Sequence, residues 1–145
     1  MTGLTGKIKK NVLSAVIGVM LVLGISGCSM EEEDAGGKLK DIDFTVVGEE
    51  QQPEALKDII AERSAEPFQI SYAIGEDLYI AIGYGEQPSG GYSISVNEFY
   101  ETDDALIIDT TLIGPGKAEN VTNTPTKPYI VIKTENIDGK TIQFQ

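Results

Sequence analysis

From Phe68 onward the chain alternates short apolar runs with polar residues, and turn-forming residues separate the runs. Phe68 to Ile74 and Leu78 to Tyr84 read as two strands joined by Gly75-Glu76-Asp77, a hairpin signal. Tyr92 to Tyr100 and Ala105 to Ile113 read as a second pair across Glu101-Thr102-Asp103-Asp104. Tyr129 to Glu135 and Thr141 to Phe144 read as a third pair across Asn136-Ile137-Asp138-Gly139, where Asp-Gly favours positive φ. Earlier in the chain, Ile42, Phe44 and Val46 alternate with polar residues and predict a first strand. Between these two regions the period changes. Ala55, Leu56, Ile59 and Ile60 fall at helical spacing, with Glu54, Lys57, Asp58 and Glu62 on the opposite face. Pro53 suits the first turn of that helix, where its missing N–H would be unpaired anyway. The helix is expected from about residue 53 to residue 64, and Pro67 closes the segment. Strands recurring about every ten residues predict a mostly β (α+β) fold. It is an antiparallel β-sandwich or small barrel of about six or seven strands, with one N-terminal amphipathic helix covering a face or end of the sheet.

The N-terminal pattern is different. Lys7, Lys9 and Lys10 precede an apolar run from Val12 to about Leu23, which is shorter than the about 20 residues a stable span needs. Basic residues followed by an apolar stretch and then small residues make a signal peptide. Ile25-Ser26-Gly27-Cys28 resembles the bacterial lipobox. By that resemblance the chain is cut between Gly27 and Cys28, and Cys28 becomes a lipidated, membrane-anchored N-terminus. It is the chain's single cysteine, so no disulfide can form within it. After it, Glu31-Glu32-Glu33-Asp34 followed by Gly36-Gly37 has nothing to bury and repels itself, the composition of a flexible spacer. The expected organisation is a signal peptide at 1–27, a lipidated end and spacer at 28–40, and one β-rich domain at 41–145.

Loss of the signal sharpens the charge. The whole chain carries −12, and residues 1–27 contain three lysines and no acid, so the remainder stands near −15. A nucleic-acid partner needs a basic footprint, and the chain has none. An acidic surface also keeps a protein soluble, which is reason enough for it.

Three loops interrupt the strand pattern with residues that strand geometry does not require. The first holds Gln87-Pro88-Ser89-Gly90-Gly91-Tyr92, the second Gly114-Pro115-Gly116, and the third Lys127-Pro128-Tyr129. Proline fixes one end of a turn and paired glycines permit unusual backbone angles. Each loop taken alone reads more simply as a turn, with Tyr92 and Tyr129 as strand-start core residues, and only their shared order points to a binding surface. Together, Pro88-Ser89-Gly90-Gly91-Tyr92-Ser93-Ile94, Gly114-Pro115-Gly116 and Lys127-Pro128-Tyr129-Ile130-Val131-Ile132 resemble the PrcB C-terminal domain family, over about residues 78–144. That family is named after a lipoprotein subunit of a cell-surface protease complex. The resemblance implies a small lipid-anchored protein that supports a protease without performing cleavage. The loops also resemble, in order and residue type, the three loops of chagasin-like cysteine protease inhibitors. Gln87 stands where those have asparagine, Ser89-Gly90 where they have paired threonines, and Pro115 interrupts the glycine-rich loop.

The composition removes common catalytic routes. Without histidine there is no Ser-His-Asp triad, no Cys-His pair and no His-ligated metal. Gly83-Tyr84-Gly85 and Gly114-Pro115-Gly116 lack the lysine and helix of a phosphate loop. Glu101, Asp103 and Asp104 fall in an expected turn, where a solvated cluster is the simpler reading than a carboxylate pair. The sequence therefore reads as a non-enzyme without a cofactor, held at the cell membrane on its extracytoplasmic side through lipid on Cys28. Its expected partner is a protein, with a surface protease as the leading case. An inhibitor using the three loops and a structural envelope lipoprotein with no protease link are the alternatives.

Overall fold

The computed structural model describes residues 37–145. Gly27, Cys28, the apolar run and the acidic residues 31–34 lie outside the described residues. Leu39–Gln145 form one compact unit. Its elements are β1 (Lys40–Asp41), β2 (Thr45–Val46), a 3₁₀ turn (Glu49–Gln51), α1 (Glu54–Arg63), β3 (Pro67–Ile74), β4 (Asp77–Tyr84), β5 (Ser93–Glu101), β6 (Ala105–Ile113), β7 (Tyr129–Glu135) and β8 (Thr141–Phe144). They build two four-stranded sheets, ordered β1-β5-β6-β8 and β2-β7-β4-β3. The architecture is an open sandwich, not a closed barrel.

The strongest local signals fold as their chemistry requires. β3 and β4 pair in register from Pro67↔Tyr84 to Ile74↔Asp77, leaving a two-residue loop of Gly75 and Glu76. Gly75 adopts φ 64, the left-handed first position that such tight hairpins need. β5 and β6 also pair antiparallel, with a register shift between Val96 and Glu98 that leaves Asn97 as a bulge.

Two expectations are corrected. The expected strand over Ile42, Phe44 and Val46 is two short strands belonging to different sheets, because the chain crosses between the sheets here. Ile42 donates its N–H to Phe99 O at 3.0 Å on one side, and Val47 donates to Val131 O at 2.8 Å on the other. Ile42 is buried, whereas Phe44 and Val46 are 37% and 57% exposed, so the alternation marked a crossing instead of a core strand. The expected hairpin of 129–135 with 141–144 does not form either. β7 already has β2 on one edge and β4 on the other, so no edge remains for β8. β8 instead lies parallel to β6, from Ala105↔Thr141 to Ile108↔Phe144. Lys140 fastens this crossover. Its Nζ lies 3.3 Å from Glu101 Oε2 and donates to Thr102 O at 2.6 Å and Asp103 O at 2.9 Å.

The residues sort into two apolar layers. Between the sheets lie Ile42, Leu78, Ile80, Ile82, Phe99, Leu106, Ile108 and Ile132. On the other face of β2-β7-β4-β3, helix α1 brings Leu56 and Ile60 against Val47, Phe68, Tyr79, Ala81 and Val131. Of the four apolar helix positions, Leu56 and Ile60 are buried, Ile59 is half-buried and Ala55 is exposed. β4 is thus covered on both faces, which is why its sequence is a near-continuous apolar run without alternation.

Gly83 is the tightest point of this layering. A Cβ there would fall 2.1 Å from Phe68 Cε1, because the Phe68 ring lies across the strand where a side chain would stand. Phe68 is buried, so its ring cannot swing into solvent without opening the helix-side layer. Gly83→Ala is therefore expected to lower unfolding free energy by about 1–3 kcal/mol in urea titration. In a Phe68→Leu background the same change should cost measurably less, and equal costs in both backgrounds would show that the ring is not the obstacle.

Candidate functional site

The three loops flagged in the sequence meet at one end of the sandwich. Two of them are opposite ends of one connection, residues 114–128 between β6 and β7, and the third is the β4–β5 connection, residues 85–92. Each connection crosses from one sheet to the other. Gly85, at φ 78, turns the chain out of β4 beside Pro67, whose Cδ would lie 3.0 Å from an added Cβ. Gln87 and Thr126 then form an isolated antiparallel bridge, with N–H to O distances of 2.7 and 3.0 Å in the two directions. Thr126 Oγ1 donates to Ser89 O at 2.7 Å, and Gln87 Nε2 donates to Tyr84 O at 3.2 Å. Gly90 donates its N–H to Thr122 O at 3.1 Å.

The glycines make these contacts possible. Gly91 has φ 89, and a Cβ there would come within 2.5 Å of Val121 Cγ1 and 2.8 Å of Pro115 Cβ. A Cβ on Gly90 would meet Thr122 Oγ1 at 2.8 Å. Gly114 sits against the Tyr92 ring, with Cε1 at 3.3 Å from the Cβ position, and Gly116 lies near the Glu119 side chain. The result is a cross-braced cluster in which the first loop is clamped by the 114–128 connection.

The proposed contact residues divide by exposure. Pro88, Gly91, Gly114, Gly116 and Lys127 are exposed, while Gln87, Ser89, Gly90, Tyr92, Pro115, Pro128 and Tyr129 are half-buried. Tyr129 packs with the layer beneath helix α1, on the outer face of its sheet, and Pro128 O accepts the Tyr84 N–H at 3.2 Å. Tyr92 and Tyr129 are therefore built into the scaffold as well as being aromatic. Thr122, Val121 and Thr126, which hold the cluster together, carried no sequence signal beyond their place in a long connection. At the opposite end, Glu101 is ion-paired with Lys140 and lies 3.8 Å from Lys40 Nζ. Among the described residues no group of three or more acidic or thiol side chains is placed to hold a metal.

Residues 78–135 match the model of the family described as PrcB C-terminal, which bears out the resemblance read from the loops. The match runs from β4 through β7 and contains all three loops, but neither α1 nor β8. Searches of the curated proteins and of the solved structures gave no significant match.

The clamped cluster predicts a ranking among glycines of similar φ. Gly139, at φ 82, has open space around its Cβ position, so Gly139→Ala should cost only the about 1–2 kcal/mol of left-handed backbone. Gly91→Ala adds the collisions with Val121 and Pro115, for a further loss of about 1–3 kcal/mol in chemical unfolding. Val121→Ala should recover part of that loss. Equal costs at Gly91 and Gly139 would mean that the loops are not clamped together.

Proposed function

We propose that this chain is a lipid-anchored, non-catalytic subunit that accompanies an extracytoplasmic protease. The observation that carries the reading is the PrcB C-terminal match over residues 78–135, a family whose name is that of a protease-complex subunit. Two further features support it. Ile25-Ser26-Gly27-Cys28 supplies the lipobox pattern, and two acyl chains on one residue hold a protein at a bilayer far better than one. The chain also lacks histidine, which leaves it without the usual hydrolytic machinery.

In this reading the anchor and the spacer set the geometry of binding. Confinement to the membrane surface raises the local concentration of any partner anchored in the same bilayer, so a modest contact suffices. The braced loop cluster offers backbone and small side chains on a scaffold that has little entropy left to lose. The meeting of three loops at one end also favours a second reading, inhibition of a protease cleft in the chagasin-like manner. The two differ in outcome. An accessory subunit raises the level or activity of its protease, and an inhibitor lowers the activity.

The test uses the full chain in its bacterial envelope. Radiolabelled palmitate should enter the wild-type protein, and Cys28→Ala should abolish labelling and move the protein to the soluble fraction. After detergent extraction the wild-type chain should co-purify with one protease, whose level falls when the chain is deleted. Lys127→Glu, at an exposed loop position, should weaken that association by about tenfold without altering the unfolding curve, in line with truncation or reversal of a central contact. Inhibition of added papain-like enzymes would favour the second reading. Recovery of only non-protease envelope proteins would overturn both.

A further inference from the structure

Sheet β2-β7-β4-β3 ends on β3, which pairs with β4 alone. The direction of its free hydrogen-bonding groups follows from the ladder. Tyr84 donates its N–H to Pro128 O, on the β7 side, so even-numbered residues of β4 face β7 and odd-numbered ones face β3. Gly83, Ala81, Tyr79 and Asp77 therefore bond Phe68, Ile70, Tyr72 and Ile74. The alternate residues Gln69, Ser71 and Ala73 point their N–H and C=O groups away from the sheet, where no strand stands among the described residues.

This edge lacks the devices that usually close one. Residues 67–74 contain no charge and no bulge, and the strand runs eight residues. Pro67, at the first position, is the single blunting feature. The inner side of β3 is also uncovered, with Gln69, Ser71 and Ala73 exposed, because the opposite sheet stops at the four-residue β8. A groove of about 830 Å³ lies along the first half of β3, with Gln69, Ile82, Tyr84, Thr110 and Gln145 among its walls. Tyr84 Oη, hydrogen-bonded to Thr110 Oγ1 at 2.7 Å, ties the two sheets across its floor.

Charge decides what fits. Glu62 and Glu66 line the groove at the start of β3 with Arg63 among them, and Glu76 stands in the turn at its end. In antiparallel pairing with a second copy, the Glu66 end of one strand would lie beside the Glu76 end of the other. Like charges facing each other disfavour that pairing. A foreign strand with basic residues at its ends meets the opposite sign at both.

We propose that the β3 edge binds an extended segment of another protein by strand addition, the segment being uncharged over its paired length and flanked by lysine or arginine. Main-chain bonds to Gln69, Ser71 and Ala73 would hold it, and its inward side chains would enter the groove over Ile82 and Tyr84. The proposal rests on the partner reading only in taking that partner to be a protein, and it places the contact on main-chain groups of β3, a strand that carries none of the three loops.

The test uses the full chain in detergent and a capped peptide, Lys-Thr-Val-Thr-Val-Thr-Lys, followed by amide exchange in nuclear magnetic resonance. At saturation the amides of Gln69, Ser71 and Ala73 should slow by at least about tenfold, while those of Phe68, Ile70 and Tyr72, already bonded to β4, change little. The same peptide N-methylated at alternate residues, or carrying glutamate in place of lysine, should bind at least about tenfold more weakly. Ser71→Pro removes an outward N–H that the sheet does not use, and should abolish binding while keeping the β3–β4 ladder. Ser71→Lys serves the same purpose if the proline variant does not fold. Absence of binding by the lysine-flanked peptide overturns the proposal, as do unchanged exchange at the three amides and wild-type affinity in both variants. Protection of those amides that grows with protein concentration alone would assign the edge to a second copy and also overturn it. Failure here with a protease still co-purifying would leave the accessory reading standing, and success here without one would remove only that reading.

Discussion

Burial of β4 on both faces is the constraint from which the rest of the fold follows. Its even-numbered side chains enter the layer between the sheets, and Tyr79 and Ala81 enter the layer under α1. A strand so placed has to be flanked on both edges, and β3 and β7 fill those positions. With β2 on its far side, β7 is closed, so the last strand must leave and complete the other sheet. The parallel β6–β8 pair, unusual in an otherwise antiparallel protein, is a consequence of that occupancy. Gly83 marks how tightly the arrangement is drawn, since the strand yields its own side-chain space to the Phe68 ring.

The same economy governs the loop end. Glycines that in isolation suggest backbone offered to a partner are occupied by the protein itself: Gly91 by Val121 and Pro115, Gly90 by Thr122, Gly114 by Tyr92. This does not weaken the case for a binding edge, but it changes its physics. A loop with free glycines would lose entropy on binding, whereas a loop braced by the Gln87–Thr126 bridge has lost it during folding. The exposed residues of such a cluster, Pro88 and Lys127 among them, are then the ones available for contact, and the tyrosines are support.

How much of this was legible in the sequence depended on whether a signal was local. The β3–β4 and β5–β6 hairpins, and the α1 span to within a residue, are set by neighbouring residues and could be read directly. The fate of Thr141–Phe144 could not, because its Asp-Gly turn resembles a hairpin and only the occupied edge of β7 forbids one. The alternation of Ile42, Phe44 and Val46 misled for a related reason: two-residue strands on different sheets leave the same period as one strand. At the loop end, residue types in order gave the family, which the match over residues 78–135 bears out. Thr122 and Thr126 were invisible, since a threonine that clamps a loop 37 residues away looks like any other threonine in a polar stretch.

The distribution of charge connects the scaffold to its surroundings. The chain is strongly acidic, yet residues 67–74, an open edge strand of eight residues, carry no charged side chain. Proteins that close their edges locally place lysine, proline or a bulge on the strand itself. Here Pro67 blunts only the first position, and the acids sit around the edge, in α1, in the residues before β3 and in the β3–β4 turn. Repulsion between like-charged copies then guards the edge against self-pairing from a distance, while the main-chain groups of Gln69, Ser71 and Ala73 stay unobstructed. A guard of that kind discriminates by sign. It turns away another copy of this chain and admits a segment that brings basic residues, so the acidity read at first only as a source of solubility becomes a determinant of what the open edge accepts.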